Sequence, residues 1–196
     1  ELPPRTREVY ERYVSAYGPF ANQAAVFAHV PPAVDHLMPM LMELRAAATL
    51  PRRHLEIAIV VVSQVNACHY CVAHHKPMLV VEGLTPAGVD RLLDYADHPE
   101  LTVTDKLVVE YAVQVTREPR KVRDGLFERL RGHFSEAQIV ELTLRARPQS
   151  RNIHLWCRTT MLEDPDFVAI KDCILAQGVR AGSQAPTGEQ PASRKR

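Results

Sequence analysis

Residues 56–75 read EIAIVVVSQVNACHYCVAHH, and the reading of this stretch decides the fold. Leu55 to Val65 is an apolar run dominated by Val and Ile, a composition that suits a buried strand or a buried helix. Its length and the helical periodicity on both sides favour the helix. Twelve residues of unbroken helix would carry Glu56 ~18 Å from Cys68, out of contact. A break near Asn66-Ala67 instead folds a second helix back along the first, with Asn66 as its expected cap. With Cys68 in the first turn of that helix, Cys71 and His75 fall within roughly 60° of it on one face. Cys71 and His75 are four residues apart, the spacing that stacks one side chain over the next. An imidazole there can take the Cys71 proton, and a thiolate rather than a thiol is the useful nucleophile. Glu56, set among Ile57, Ile59 and Val60, needs a partner when buried, and His75 is the evident one. A relay of carboxylate, imidazole and thiol is therefore expected of Glu56, His75 and Cys71.

Outward from this stretch the pattern is helical nearly throughout, so the expected fold class is all-α. Val9, Tyr13, Val14 and Tyr17 recur at helical spacing before Gly18-Pro19. A short apolar segment from Ala21 to His29 stops at Pro31-Pro32. Val34, Leu37, Met38, Leu41, Met42 and Leu44 follow on one longer amphipathic helix, which Pro39 should bend. The Met-rich part, Met38 to Met42, reads as adaptable packing or a subunit contact. Pro51 suits the first turn of the helix that carries Glu56. Downstream, Thr85-Pro86 and Thr104 read as helix starts, Val122 to Phe134 as amphipathic, and Ser135-Glu136-Ala137-Gln138 as a capping box. Further helices are expected over 152–162 and 167–175. The cysteine motif occurs once. One helical domain over 1–178 and a disordered tail over 179–196 complete the reading.

The chain has 196 residues, 46% of them apolar, which supports a single domain with a real core. Its formal net charge is +1, and its single basic cluster, Arg194-Lys195-Arg196, ends a polar tail, so nucleic acid is not an expected partner. No apolar run approaches the ~18–20 residues that cross a bilayer, so neither is a membrane. The opening Glu1-Leu2-Pro3-Pro4-Arg5 carries no signal peptide, although the missing initiator Met leaves residues upstream of Glu1 open. Four cysteines in a chain of this size do not make a disulfide scaffold; a close pair reads as redox or metal chemistry, with the cytoplasm as default location.

Glu, eleven residues, Cys, two residues, Cys, three residues, His is a spacing that resembles the signature of alkylhydroperoxidase D-like proteins, within the carboxymuconolactone decarboxylase superfamily. Glu56, Cys68, Cys71 and His75 match it at all four positions, and the close likeness covers about Arg52 to Gly83. The resemblance implies an all-α antioxidant-defence fold, assembled as a homotrimer or homohexamer, acting as a thiol-dependent peroxidase or disulfide reductase on a small hydroperoxide. It implies Cys71 as the peroxidatic thiol, Cys68 as the resolving thiol, and Glu56 as proton acceptor through His75. It implies a lipoyl-bearing adaptor or a thioredoxin-like protein as reductant, and no bound cofactor. Tyr70 stands where some members carry a second His, so an extra base is missing there.

Other readings remain open at this point. A lactone decarboxylase or isomerase could use Glu56 and His75 as acid–base groups, but that chemistry has no need of two thiols. Zinc could take Cys68, Cys71 and His75 with Glu56 or His69, yet a second pair of ligands is missing from the neighbourhood. Cys68 and Cys71 could be inert buried thiols. His69 and His74 read as bystanders off the cysteine face. Cys157 and Cys173 read as core residues, and His154 with Trp156 as a helix carrying a partly buried aromatic.

Overall fold

The chain is described over residues 1–146 by a computed structural model, and every regular element among them is helical. The helices expected over 152–162 and 167–175, the tail over 179–196, and Cys157, Cys173, His154 and Trp156 lie outside the described residues. Helices α1 (Pro4–Ala16), α2 (Ala21–Phe27) and α3 (Pro31–Ala47) come first, with a 3-10 turn at Gly18–Phe20 between α1 and α2. Then follow α4 (Arg52–Val65), α5 (His69–Val81) and the short α6 (Pro86–Asp90). The chain continues through α7 (Val103–Arg117), α8 (Asp124–Arg131) and α9 (Glu136–Ala146).

The run from Leu55 to Val65 is helical, and α4 is the axis of the larger core. Ile57, Ala58, Val60, Val61 and Val62 are fully buried along it, against α5, α7 and α9. A helix apolar nearly all round is what a central position requires. Each such Val or Ile withdrawn from water stabilises the fold by about 1.5–3 kcal/mol before chain entropy is charged against it. Val9, Tyr13, Ala24, Val34 and Met38 form a second, smaller cluster that joins α1, α2 and α3. Met38 is fully buried there and Met42 packs against the same cluster, so this stretch helps hold α3 to α1.

Polar anchors set the angles between the helices. Arg53 on α4 donates to both oxygens of Asp105 on α7, and to the carbonyls of Glu82 at 2.6 Å and Glu100 at 3.0 Å. Asp105 is fully buried, which alone would raise its carboxyl; hydrogen bonds from His54, Arg53 and Thr102 prevail and hold it well below the ordinary carboxylate range. The same carboxylate closes a capping box with Thr102. The start of α7 is thus Thr102 and not Thr104, because only Thr102 has an acidic residue three positions on. Ser135 and Gln138 cap α9 reciprocally, at 2.9 and 3.3 Å. Glu141 on α9 accepts the Leu50 amide at 3.2 Å, and Gln138 donates to the Thr49 carbonyl, so α9 straps the turn that leads into α4. Pro51 stands at the N-cap of α4, one residue ahead of the first turn.

Candidate active site

The link between α4 and α5 folds the second helix back against the first. The Cys68 amide donates to the Ser63 carbonyl at 2.9 Å and the Ala67 amide to the Gln64 carbonyl at 3.0 Å, the paired bonds of a Schellman motif. Ala67 takes the left-handed position with φ 52°, a place usually given to Gly and one that costs a non-Gly residue roughly 1–2 kcal/mol. Asn66 ends α4 as its C-cap instead of opening α5. The N-cap of α5 is Cys68, whose Sγ accepts the Cys71 amide at 3.3 Å. Cap preferences count oxygen acceptors, which is why Asn66 reads as the cap from sequence.

Cys68 and Cys71 are joined as a disulfide, with Cα atoms 5.4 Å apart. Cys68 is wholly withdrawn from solvent, and Cys71 keeps 7% of its surface. One turn further along α5, His75 Nδ1 lies 2.7 Å from Glu56 Oε2. An ionised carboxylate only accepts, so Nδ1 carries the proton of this bond and Nε2 is left as the basic nitrogen. Glu56 is buried. That burial would push its carboxyl upward, but the His75 charge and hydrogen bond, with the fields of Arg45 and Arg52, hold it below its ordinary value. The four motif residues thus form two pairs: Cys68 with Cys71 at the start of α5, and His75, one turn further along α5, with Glu56 on α4.

The neighbouring histidines differ in their surroundings. His69 is exposed; His74 is buried with its Nδ1 2.8 Å from the Tyr70 carbonyl and its ring 3.9 Å from that of Tyr70. Phe20, from the turn after α1, lies 5.4 Å from the His74 ring and 5.5 Å from the His75 ring. Sequence reasoning missed Phe20, because nothing local ties it to a helix 50 residues on. Among the described residues, no group of three His, Cys, Asp or Glu converges as a metal cage. No helix among them is long and apolar enough to cross a membrane.

Known proteins share this helical fold. Residues 31–117 match the carboxymuconolactone decarboxylase family. This match and the shared fold together support an alkylhydroperoxidase D-like member of the carboxymuconolactone decarboxylase superfamily. It is 25% identical over 124 residues to YdfG, an uncharacterized protein of Bacillus subtilis (strain 168), covering 63% of this chain and 84% of that one. It is similar in fold to a solved alkylhydroperoxidase AhpD core, an uncharacterized peroxidase-related protein from Ralstonia eutropha JMP134. That likeness has a TM-score of 0.64 at 19% identity, over 85% of this chain and 88% of the other. The matched family segment runs from the start of α3 to the end of α7 and so contains the whole motif.

Proposed function

We propose that this member of the superfamily is a thiol-dependent peroxidase that reduces hydroperoxides through Cys68 and Cys71, with Glu56 and His75 as the proton relay. The observation that carries the reading is the 2.7 Å bond between Glu56 and His75, set one helical turn from a cysteine pair at the start of α5. In the reduced protein, His75 Nε2 takes the Cys71 proton and Glu56 stabilises the imidazolium. The Cys71 thiolate attacks the outer oxygen of the hydroperoxide. An S–O bond forms, the O–O bond breaks, and the departing alkoxide takes its proton from His75 as an alcohol. Cys71 is then a sulfenic acid, oxidised by two electrons. Cys68 loses its proton and attacks that sulfur; the disulfide forms and hydroxide leaves as water. Being the less exposed of the two and capped by the Cys71 amide, Cys68 suits the resolving role, since that amide favours its thiolate as the leaving group on reduction. A dithiol, from a lipoyl-bearing adaptor or a thioredoxin-like protein in the cytoplasm, restores both thiols by exchange. A homotrimer or homohexamer is the assembly proposed by family resemblance.

A lactone decarboxylase or isomerase would employ Glu56 and His75 but leave the paired cysteines without a role. The test is hydroperoxide consumption by the purified protein with reduced lipoamide or a thioredoxin-like protein as reductant. Turnover should be seen, and after one equivalent of peroxide mass spectrometry should find a peptide with Cys68 linked to Cys71. No consumption with either dithiol, and no loss of thiols to peroxide, would overturn the reading.

A further inference from the structure

The Phe20 ring packs on the smaller core cluster and yet lies against α5. Its centre is 5.4 Å from that of the His74 ring and 5.5 Å from that of His75, tilted by 39° and 43°. Consecutive side chains on a helix point about 100° apart, so a ring near both sits in the notch between them. One wall of that notch is fixed. His74 is buried, its Nδ1 is 2.8 Å from the Tyr70 carbonyl, and the Tyr70 ring lies 3.9 Å from its own. Phe20 is fixed as well. Its amide donates to the Tyr17 carbonyl at 2.8 Å, the Ala21 amide donates to the Gly18 carbonyl, and the cluster around Tyr13 and Met38 supports the ring.

The other wall is His75, and it is the softer one. Its side chain keeps 18% of its surface, and the bond from Nδ1 to Glu56 pins one atom of the ring. The last torsion of a histidine side chain is broad, because it joins sp3 to sp2 carbon. One hydrogen bond therefore leaves the imidazole able to rock about Nδ1. Rocking moves Nε2, and a base must come within about 2.6–3.2 Å of the group whose proton it takes. A flat contact from a ring that is itself held removes that freedom, and Phe20 is such a ring.

We propose that Phe20 is a positioning residue for the base: it holds the His75 imidazole in the plane that aims Nε2 at Cys71. Phe20 acts only through His75 and moves no proton itself. The helices α1 to α3 thereby gain a part in the chemistry of α5, since their cluster is what supports the ring. The proposal rests on the relay of Glu56, His75 and Cys71 described above, and is indifferent to which substrate the thiol attacks.

The test is the rate at which Cys71 of the reduced, full-length protein reacts with iodoacetamide at neutral pH, followed by mass spectrometry with fragment ions that separate Cys71 from Cys68. Phe20→Leu keeps apolar volume against the α1–α3 cluster and removes the flat ring. It should slow the reaction about tenfold, a part of the ~10²–10⁴ that loss of a base costs. Phe20→Tyr restores the ring and should return the rate to within about twofold of wild type. In His75→Ala no imidazole remains to be aimed, so adding Phe20→Leu should change the rate by less than about twofold. A merely structural role predicts otherwise: the same factor in both backgrounds, or a faster reaction as Cys71, 7% exposed in the intact fold, opens to solvent. Either of those results would overturn the proposal, as would a Phe20→Leu protein that matches wild type or a Phe20→Tyr protein as slow as Phe20→Leu; with His75→Ala slow, the relay itself would stand. A His75→Ala protein as reactive as wild type would instead remove the relay, and the role of Phe20 with it.

Discussion

The helices from α4 onward and the three before it do different work. The first group shares one large core and carries Glu56, Cys68, Cys71 and His75 on two helices joined by a hydrogen-bonded turn. The second group has a separate, smaller cluster around Tyr13 and Met38, and brings the Phe20 ring to 5.5 Å from that of His75. The reacting groups need fixed mutual geometry, which a packed core supplies. The first three helices pack chiefly on one another and reach the motif through Phe20. The motif and the aromatic ring beside it thus rest on helices with different cores.

The largest expected effect breaks the first region at its reacting atom. Cys71→Ser should abolish peroxide turnover, whereas Cys68→Ser should let Cys71 react once and halt as a sulfenic acid, read by a sulfenic-specific label. Trapping at Cys68 in the Cys71 variant would reverse the two roles.

Next in size, a cavity in each cluster sharpens the comparison. Leu79→Ala, at a fully buried position of the larger core, should lose about 2–5 kcal/mol and lower hydrogen-exchange protection throughout α4 and α5. Met38→Ala, equally buried, should instead raise exchange in α1 to α3 and leave α4 amides protected. Uniform loss of protection in both variants would mean that the two clusters open as one unit.

Smaller still is Asp105→Asn, which removes the anchor between α4 and α7. The folded carboxyl lies below its unfolded value, so its contribution is present above about pH 4 and disappears as pH falls through the folded value. The variant should be less stable by on the order of 2 kcal/mol at neutral pH, less than a fully dry pair because Arg53 keeps some access to water. Its urea midpoint should also depend less on pH on the acid side. Equal acid sensitivity in both proteins would contradict the assignment.

The helical fold and the pairing of Glu56 with His75 were legible because both depend on local spacing. A break at residues 66–67 is needed to return Glu56 to His75, and the chain turns there. The cap was misread because sulfur at Cys68 does what an oxygen usually does, and because Ala67 takes a glycine's conformation. Thr102 could have been read correctly, since Asp105 stands three residues after it and Thr104 has Leu107 in that place. Phe20 was beyond reach for a different reason. It comes from the turn after α1, and periodicity tells which face of a helix is apolar but not which other helix will meet it.

The relay itself is tested most directly by the rate at which Cys71 in the reduced protein reacts with an alkylating agent, followed across pH in wild type and Glu56→Gln. With Glu56 supporting His75, the variant should react more slowly at neutral pH, by about 10²–10⁴ if the whole benefit of the base is lost, and should recover as hydroxide replaces the base. A Glu56→Gln protein that alkylates at the wild-type rate at every pH would make Glu56 a structural partner of His75 and contradict the relay.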